Sequence, residues 1–502
     1  MTAFLEWLLW LSDTVVTFIW SNWMIVLLVG TAIILSFMTR FIQIRKFFLS
    51  LKYLFQGGKK SKVLKDTEGD ISPFAALMTA LAATVGNGNI AGVAAAIATG
   101  GPGAPFWMWV SGFFGMATKY AECFLGVKFR KVAEDGSMAG GPMYYCRYGI
   151  KNKSIAKFLG MVFAICGGFT ALLGTGNMMQ SNSMALAMKA QLKVPTVLSA
   201  VVITLLVGIV IIGGIKRIGA VAEKLVPTMI IFYVGGALFI LIAKFTELDD
   251  AIVLIFRSAF SLKAAGGALI GTSIQKAISL GVRRGVLSNE AGLGSAAIAQ
   301  SAAKSPDPTF NGLLGMTGVF IDTILVNTIT TLTIVVTGVW KLTPAVGLKL
   351  LNEGTTLATD TINNLSPQVL EMAEHANKAI GYEITTGGLS STALTVAAFN
   401  MVIPFGGLII AIGSLVFGYT TLLGWAYYGE QCIGYIWGIK SHLPYRIVFI
   451  TLLFLGALMT GKYLDIVWHI GDTFNAIMAI PNLIGLLFLA RIVSRITRES
   501  FS

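Results

Sequence analysis

The chain has 502 residues, of which 55% are hydrophobic and 12% are charged, and its formal net charge is +13. Soluble domains carry about 25% charged residues, so this composition excludes an ordinary soluble protein and indicates a membrane protein. Nucleic acid is not an expected partner either, because the Lys and Arg residues concentrate in alternate loops between apolar segments, as cytoplasmic loops do.

Long apolar segments recur over the whole chain. Most have about 18 or more residues, enough to cross about 30 Å of hydrocarbon, and about eleven spans are predicted. They cover residues 23–41, 72–98, 104–127, 155–185, 195–214, 220–243, 268–303, 307–338, 404–437, 446–461 and 467–490. The sequence therefore predicts an all-α polytopic membrane protein.

Charges near the N-terminus predict the orientation. Glu6 and Asp13 precede the first span without any Lys or Arg, the reverse of a signal peptide, so this helix is expected to remain, with its N-terminus outside. The basic stretch from 40 to 65 and the later basic loops are then cytoplasmic. We predict a C-terminus inside the cell and a bacterial-type inner, or plasma, membrane.

The spans after the first divide into two sets of five, and an odd number per set makes the two sets begin on opposite sides of the membrane. The predicted units are an N-terminal helix with a basic cytoplasmic loop (1–71), a first repeat (72–243), a second repeat (244–490) and a basic cytoplasmic tail (491–502). Within the second repeat, the acidic segment 339–403 is predicted to form an external loop with a surface helix.

Two predicted helices contain breaks in their apolar pattern. The run Gly86 to Asn89 interrupts the second span, and Leu287 to Gly294 interrupts the seventh. Glycine inside a helix costs about 1 kcal/mol, and backbone freed within a bilayer needs other partners. The alternative interpretation is that these glycines only allow neighbouring helices to approach closely. A break in each half instead predicts a binding site near the middle of the membrane.

The freed main-chain groups indicate which ligand such breaks suit. Exposed N–H groups at the start of a half-helix attract an anion, and exposed C=O groups at the end of one attract a cation. An amino acid zwitterion beside Na⁺ requires both kinds of group. The paired breaks therefore predict a site for an amino acid together with a cation.

Charged residues within the predicted spans have more than one interpretation. Glu290 in the second break should face a cavity or a partner. It either forms an ion pair with Arg283 or Arg284, or takes part directly in coupling or proton binding. Lys119 and Glu122 stand three residues apart and are predicted to neutralise each other. The remaining acidic residues of the spans receive no role.

Uncharged polar residues extend the candidate site. Gln180 lies one turn beyond Gly176, where its amide reaches either a cavity or a neighbouring helix. Thr420 and Thr421 lie one turn before Trp425, which places hydroxyls beside an indole on one helical face. Threonine hydroxyls in helices usually bond to their own backbone, so this pattern alone is weak evidence for a binding site.

Catalytic chemistry is not expected. The spans contain no recognisable nucleophile set, phosphate loop or paired-carboxylate site, so the chain is predicted not to be an enzyme. The four cysteines form no C-x-x-C pair and the three histidines do not cluster, so a resident metal or a disulfide is not expected.

Three stretches resemble the alanine or glycine:cation symporter family, also called sodium:alanine symporters. They are Thr84 to Gly92, followed in the sequence by Pro102 to Trp109; Arg284 to Ser295; and Trp425 to Glu430. The resemblance implies a leucine-transporter-type fold, with a ten-helix core in two inverted repeats and one additional N-terminal helix. It also implies Na⁺-coupled uptake of small neutral amino acids, chiefly alanine and glycine.

The resemblance also implies roles for individual positions. Main-chain amides at Asn87 and Gly88 would hold the substrate carboxylate, and Trp425 would limit the size of the substrate side chain. The remaining pocket residues implied are Gln180, Leu287 and Thr421, and the Na⁺ ligands implied are the carbonyls near Ala82 and Val85 with the hydroxyls of Thr420 and Thr421. The family often has Thr where this chain has Asn87, a change that would favour serine or a larger polar substrate.

Together these observations predict a secondary active symporter that works by alternating access, with Na⁺ as coupling ion. A proton-coupled symporter that uses Glu290 is the main alternative, and a facilitative channel or exchanger is a weaker one. The expected partners are a small neutral amino acid and the lipid bilayer, and a monomer is expected.

Overall fold

Most of the described chain is helical, because a segment inside a bilayer satisfies its backbone groups only within a helix or a closed barrel. The computed structural model describes residues 2–56, 67–174, 176–260, 274–305, 307–342 and 391–501. The helices of the first half are α1 (Thr2–Ile19), α2 (Asn22–Met38), α3 (Ile42–Arg45), α4 (Phe47–Gln56), α5 (Pro73–Thr84), α6 (Val93–Gly100), α7 (Ala104–Lys128), α8 (Pro142–Gly149), α9 (Lys153–Leu173), α10 (Met178–Leu192), α11 (Thr196–Ile211) and α12 (Gly214–Ala243). Strands β1 (Lys131–Val132) and β2 (Met138–Ala139) form an antiparallel hairpin between α7 and α8.

The second half of the described chain is also mostly helical. Its helices are α13 (Leu248–Phe260), α14 (Ile274–Asn289), α15 (Ser295–Ser301), α16 (Pro308–Val319), α17 (Thr328–Val336), α18 (Ser391–Asn400), α19 (Gly406–Trp437), α20 (His442–Leu458) and α21 (Lys462–Phe501). Two stretches are π-helical, Gly88–Gly92 before α6 and Phe320–Asn327 between α16 and α17. Short 3₁₀ turns occupy Phe245–Glu247, Val339–Leu342 and Ile439–Ser441.

Length and apolar composition allow several of these helices to cross a membrane. Seven helical segments of the described chain qualify, and eight qualify if the bent pair Pro73–Thr84 and Gly88–Gly100 is one span. The prediction of an all-α, multi-pass membrane protein is therefore confirmed. Over its described residues, each predicted span overlaps one helix or two helices joined at a break or a π-helical stretch. Residues 268–273 of the seventh span lie outside the described residues. The total of about eleven crossings and the inverted-repeat arrangement stay predictions.

Six of the described helices have no counterpart among the predicted spans: α1, α3, α4, α8, α13 and α18. Helix α1 precedes the first predicted span and forms one apolar stretch with α2, from Phe4 to Met38. Helix α13 carries acidic residues in its first turn and Arg257 in its last, the charge order that the helix dipole favours. Helix α18 is short and buried, with Leu394 and Phe399 fully inaccessible, although it lies in the predicted external loop. Residues 343–390 of that loop lie outside the described residues.

The predicted tail from residue 491 continues α21 as helix up to Phe501. This end of α21 is packed against the bundle. The hydroxyl of Ser494 donates to the Met38 carbonyl at 2.6 Å, and the Tyr120 and Thr497 hydroxyls are 2.8 Å apart. The basic residues here therefore belong to a helix that contacts α2 and α7.

Helix α7 lies at the centre of the bundle, where it packs against α2, α14, α15 and α16. Small residues allow this close packing, as is usual between membrane helices. A Cβ at Gly315 would lie 2.3 Å from the sulfur of Cys123, and one at Gly126 would lie 2.7 Å from the carbonyl oxygen of Ala297. Helix α19 packs against α5, α10 and α12, which places it beside the first break.

Candidate substrate and cation site

The first predicted break is confirmed at Val85 to Asn87. Ser72 caps α5 by accepting from the Ala75 N–H at 3.0 Å, and the helix then runs regularly to Thr84. Val85 is extended, with φ −75° and ψ 95°, and the chain bends by 47° before it resumes as helix. The Gly86 N–H donates to the side-chain oxygen of Asn89 at 2.8 Å. Asn89 therefore replaces part of the helical hydrogen bonding that the break removes.

The second predicted break is confirmed between α14 and α15. Glu290, Gly292 and Gly294 have φ of 55°, 98° and 83°, a left-handed conformation that glycine adopts readily and glutamate does not. The carboxylate of Glu122 accepts hydrogen bonds from the N–H groups of Gly292 (2.9 Å) and Gly294 (3.0 Å) and from the Asn482 amide (2.7 Å). The freed amides of this break are thus satisfied by a side chain of α7.

Lys119 lies on the same helix as Glu122, and both side chains are buried. The Lys119 ammonium is 3.9 Å from the second carboxylate oxygen of Glu122, so the predicted pair forms, at long range. The sequence did not indicate the larger role of Glu122, which is to hold the second break from 170 residues away.

A buried polar network connects the two breaks, and sequence reasoning did not identify it. The Asn89 amide nitrogen donates to Asp322 Oδ1 at 2.7 Å and Asn327 Oδ1 at 2.8 Å, and it lies 3.1 Å from Ser288 Oγ. The Ser288 hydroxyl in turn reaches Asp322 at 3.0 Å. All four side chains are buried, with at most 2% exposed. An acidic residue within an apolar span was the signal that could have indicated Asp322.

Three predicted substrate residues lie at the first break. The Asn87 side-chain amide donates to Gln180 Oε1 at 3.0 Å and its oxygen accepts from the Ser414 hydroxyl at 2.6 Å. Asn87, Gly88 and Gln180 are all partly accessible. A Cβ at Gly88 would lie 3.8 Å from the Cα of Ser288. The structure therefore brings α10, α19 and the second break to the same point, and Ser414 is an addition to the predicted set.

Trp425 and Leu287 extend this site toward the second break. The Trp425 indole N–H donates to Glu290 Oε1 at 3.0 Å, and both side chains are buried. Leu287 lies near the end of α14 and is partly accessible. The suggested ion pair between Glu290 and Arg283 is not formed, because Arg283 contacts Asp472 at 3.5 Å instead.

The predicted cation ligands lie where α19 packs against α5. Ala82 and Val85 are fully buried next to the break. The hydroxyls of Thr420 and Thr421 both donate to the Phe417 carbonyl, at 3.0 and 2.8 Å, so their lone pairs remain free to accept. A Cβ at Gly86 would lie 2.7 Å from the Thr421 hydroxyl oxygen. Carbonyls at a helix break beside threonine hydroxyls are the oxygen ligands that suit Na⁺.

Access to the first broken helix differs between its two halves. Residues 75–86 are buried throughout, whereas Asn87, Ala91, Ala95 and Thr99 form an accessible face at four-residue spacing. This spacing puts the four residues on one side of the helix. The accessible surface of the second half therefore lies along one face of the helix that begins at Asn87.

Arg130 connects the segments at the other ends of the two broken helices. Its guanidinium donates to four backbone carbonyls, those of Ala303 (2.6 Å), Glu68 (2.9 Å), Ser305 (3.0 Å) and Ser301 (3.2 Å). These carbonyls belong to the segment before α5 and to the end of α15. Arg130 thus connects the segment that precedes the first broken helix with the segment that follows the second.

Comparison with known proteins agrees with this architecture. Residues 5–373 and 377–501 match the model of the sodium:alanine symporter family. The sodium/alanine symporter AgcS of Methanococcus maripaludis is 45% identical over 96% of this chain and 95% of its own.

Two further relatives also match over most of their lengths. An uncharacterized transporter of Haemophilus influenzae is 41% identical over 97% of this chain and 94% of its own. The probable sodium/glutamine symporter GlnT of Bacillus subtilis is 31% identical over 95% of this chain and 87% of its own. The resemblance seen in the sequence motifs is confirmed, and the chain belongs to the sodium:alanine symporter family of cation-coupled amino-acid symporters.

Proposed function

We propose that this protein couples the inward flow of Na⁺ to the uptake of a small neutral amino acid, alanine or glycine, by alternating access. The observation that carries the proposal is the meeting of two broken helices, joined through the buried side chains of Asn89, Ser288 and Asp322. The main-chain groups at the first break, which Glu122 does not engage, would then serve a zwitterion and a cation.

The substrate would lie beside Asn87, Gly88, Gln180, Leu287, Thr421 and Trp425. Main-chain N–H groups at Asn87 and Gly88 suit its carboxylate, because they begin the second half of the broken helix. The Asn87 side chain is engaged with Gln180 and Ser414. These two hydrogen bonds hold the Asn87 side chain across the site, which favours a small substrate over a large polar one.

Na⁺ would be held by the carbonyls of Ala82 and Val85 and the hydroxyls of Thr420 and Thr421. Because these ligands come from α5 and α19, binding of the ion would stabilise the arrangement in which the two helices meet at the break. If that arrangement also accepts the substrate, Na⁺ and amino acid increase each other's affinity by the same factor. Coupling then follows from a shift in population.

The direct test is uptake of labelled alanine by the purified protein in lipid vesicles. An inward Na⁺ gradient is expected to drive accumulation of alanine inside the vesicles above its external concentration. We expect the monomer to be sufficient for this transport and the N-terminus to lie on the outer side of the membrane. Accumulation driven by a pH gradient in Na⁺-free buffer would instead favour the proton-coupled alternative, for which the buried Glu290 carboxyl is the candidate. Equilibration without accumulation would favour a facilitative carrier or exchanger.

Thr421→Ala is expected to raise the Na⁺ concentration for half-maximal alanine uptake by about tenfold, the effect of losing one ligand worth about 1.4 kcal/mol. Thr421→Ser keeps the hydroxyl and is the matched control, with a shift of less than about threefold. Uptake is measured over a range of Na⁺ at saturating alanine. An unchanged Na⁺ dependence in the alanine variant would rule out this ion site.

A further inference from the structure

We propose that Glu290 is a positioning residue that holds the indole of Trp425 and thereby sets the largest substrate side chain that the site accepts. This inference rests on the proposed function, because it assumes that Trp425 borders the substrate. It adds a residue from the second break to the determinants of specificity.

The orientation of the Glu290 carboxylate is determined by its own backbone and by two donors. Its main chain is left-handed, with φ 55°, and its N–H donates to the Val286 carbonyl at 2.8 Å. One carboxylate oxygen accepts from the Ser295 hydroxyl and the other from the Trp425 indole N–H at 3.0 Å. The carboxylate is therefore a fixed acceptor aimed at α19 from the turn between α14 and α15.

The indole of Trp425 is confined on its other sides by packing. A Cβ at Gly176 would lie 2.7 Å from the Cβ and Cγ atoms of Trp425, so the Gly176 backbone lies directly against the side chain. The Tyr428 ring meets the indole edge to face, with centroids 5.6 Å apart. Packing thus restricts the plane of the ring. The hydrogen bond to Glu290 selects the direction in which the indole points, because a buried N–H left without an acceptor is unfavourable.

Glu290 forms no ion pair with the residues that the structure describes, although the buried Lys119 ammonium acts on its carboxylate at longer range. Among the described residues, no Lys or Arg nitrogen comes within ion-pair distance of its carboxylate, and Arg283 is engaged with Asp472 and the Trp20 ring. The contacts of the Glu290 carboxylate in this part of the chain are hydrogen bonds from neutral donors. A glutamine keeps one such acceptor, so charge and hydrogen bonding can be separated by substitution.

The test compares Glu290→Leu with Glu290→Gln in vesicles under a Na⁺ gradient, using glycine, alanine, serine, 2-aminobutyrate and glutamine. Glu290→Leu is expected to raise the alanine KM and to increase uptake of 2-aminobutyrate relative to alanine by about tenfold, the discrimination that one methylene typically allows. Glycine uptake should change less, because glycine has no side chain to meet the indole. Glu290→Gln is expected to restore the preference for alanine.

Trp425→Phe removes the indole donor of the same hydrogen bond. This variant replaces Glu290→Leu in the test if Glu290→Leu does not reach the membrane. It should relax selectivity, and adding Glu290→Leu to it should produce little further change, since the two residues act through one hydrogen bond. Glu122→Gln is the matched control. It alters another buried carboxylate at the same break, and it should lower uptake of all substrates without changing their ratio.

Several outcomes would overturn the proposal. Unchanged substrate ratios in both Glu290→Leu and Trp425→Phe would show that Glu290 does not set selectivity, while wild-type accumulation of alanine would still support the proposed function. Loss of transport of every substrate in Glu290→Gln would indicate a role for the carboxylate charge itself. Failure of the wild-type protein to accumulate alanine would contradict the proposed function, and with it the inference about Glu290 that rests on that function.

Discussion

Asp322→Asn is expected to reduce Na⁺-driven alanine uptake at least about tenfold while the protein still reaches the membrane. The Asp322 carboxylate accepts from Asn89, Ser288 and Thr323, at 2.7 to 3.1 Å. An asparagine offers one acceptor oxygen and turns an NH₂ group toward these donors. Hydrogen bonds to charged groups contribute about 1.5–3 kcal/mol each, so losing even one exceeds the 1.4 kcal/mol that corresponds to tenfold.

The effect should fall on transport more than on folding, because this network joins the two broken helices to each other. Initial rates of labelled alanine uptake, divided by the amount of protein in the vesicles, measure it. Asp472→Asn is a suitable control, since Asp472 is also acidic but forms a partly exposed contact with Arg283 at 3.5 Å. Asp472 contacts Arg283 and takes no part in the network that joins the two breaks, so this control should retain most activity. Equal effects of the two substitutions would contradict the importance of the network.

Glu122→Leu is expected to destabilise the protein by about 3–5 kcal/mol, the usual result of removing one partner of a buried ion pair. Glu122 is fully buried, and its loss leaves the N–H groups of Gly292 and Gly294 and the Asn482 amide without their acceptor. It also leaves the Lys119 ammonium without its counter-charge. Because a bilayer supplies no water to replace it, the second break should lose its conformation. Thermal unfolding of the purified protein should shift downward by about 3–5 °C.

A second substitution separates the two contributions of Glu122. Glu122→Leu combined with Lys119→Met removes the unpaired ammonium as well, so part of the lost stability should return. Glu122→Gln retains an acceptor for the Gly292 and Gly294 amides and should be the mildest of the three. If Glu122→Leu alone unfolds at the wild-type temperature, the carboxylate does not stabilise this break.

The breaks were predictable because their causes are local. Gly86 and Gly88 disfavour a regular helix wherever they stand, and Gly292 and Gly294 adopt left-handed conformations that other residues resist. The spacing of Thr420, Thr421 and Trp425 similarly places them on one helical face before any tertiary contact is known. These features needed no knowledge of neighbouring helices.

The partners of the charged residues were not predictable in this way. Sequence proximity pointed to Arg283 or Arg284 as the partner of Glu290, but its buried contact is Trp425, 135 residues away. Asp322 received no role, although it connects both breaks through Asn89 and Ser288. The short helices α13 and α18 were missed because neither is long enough to resemble a membrane span.

Composition and apolar segments therefore predicted a helical membrane protein, and glycine placement predicted its two breaks, at Gly86 to Asn89 and Leu287 to Gly294. The resemblance of three sequence stretches indicated the symporter family. The helices and their breaks follow from local backbone preferences and from the exclusion of charge from lipid. The selection of Glu122, Asn89 and Asp322 as the groups that satisfy the interrupted helices required the folded bundle. Hydrogen bonds act over about 3 Å, and only the packing of distant helices determines which polar groups come that close.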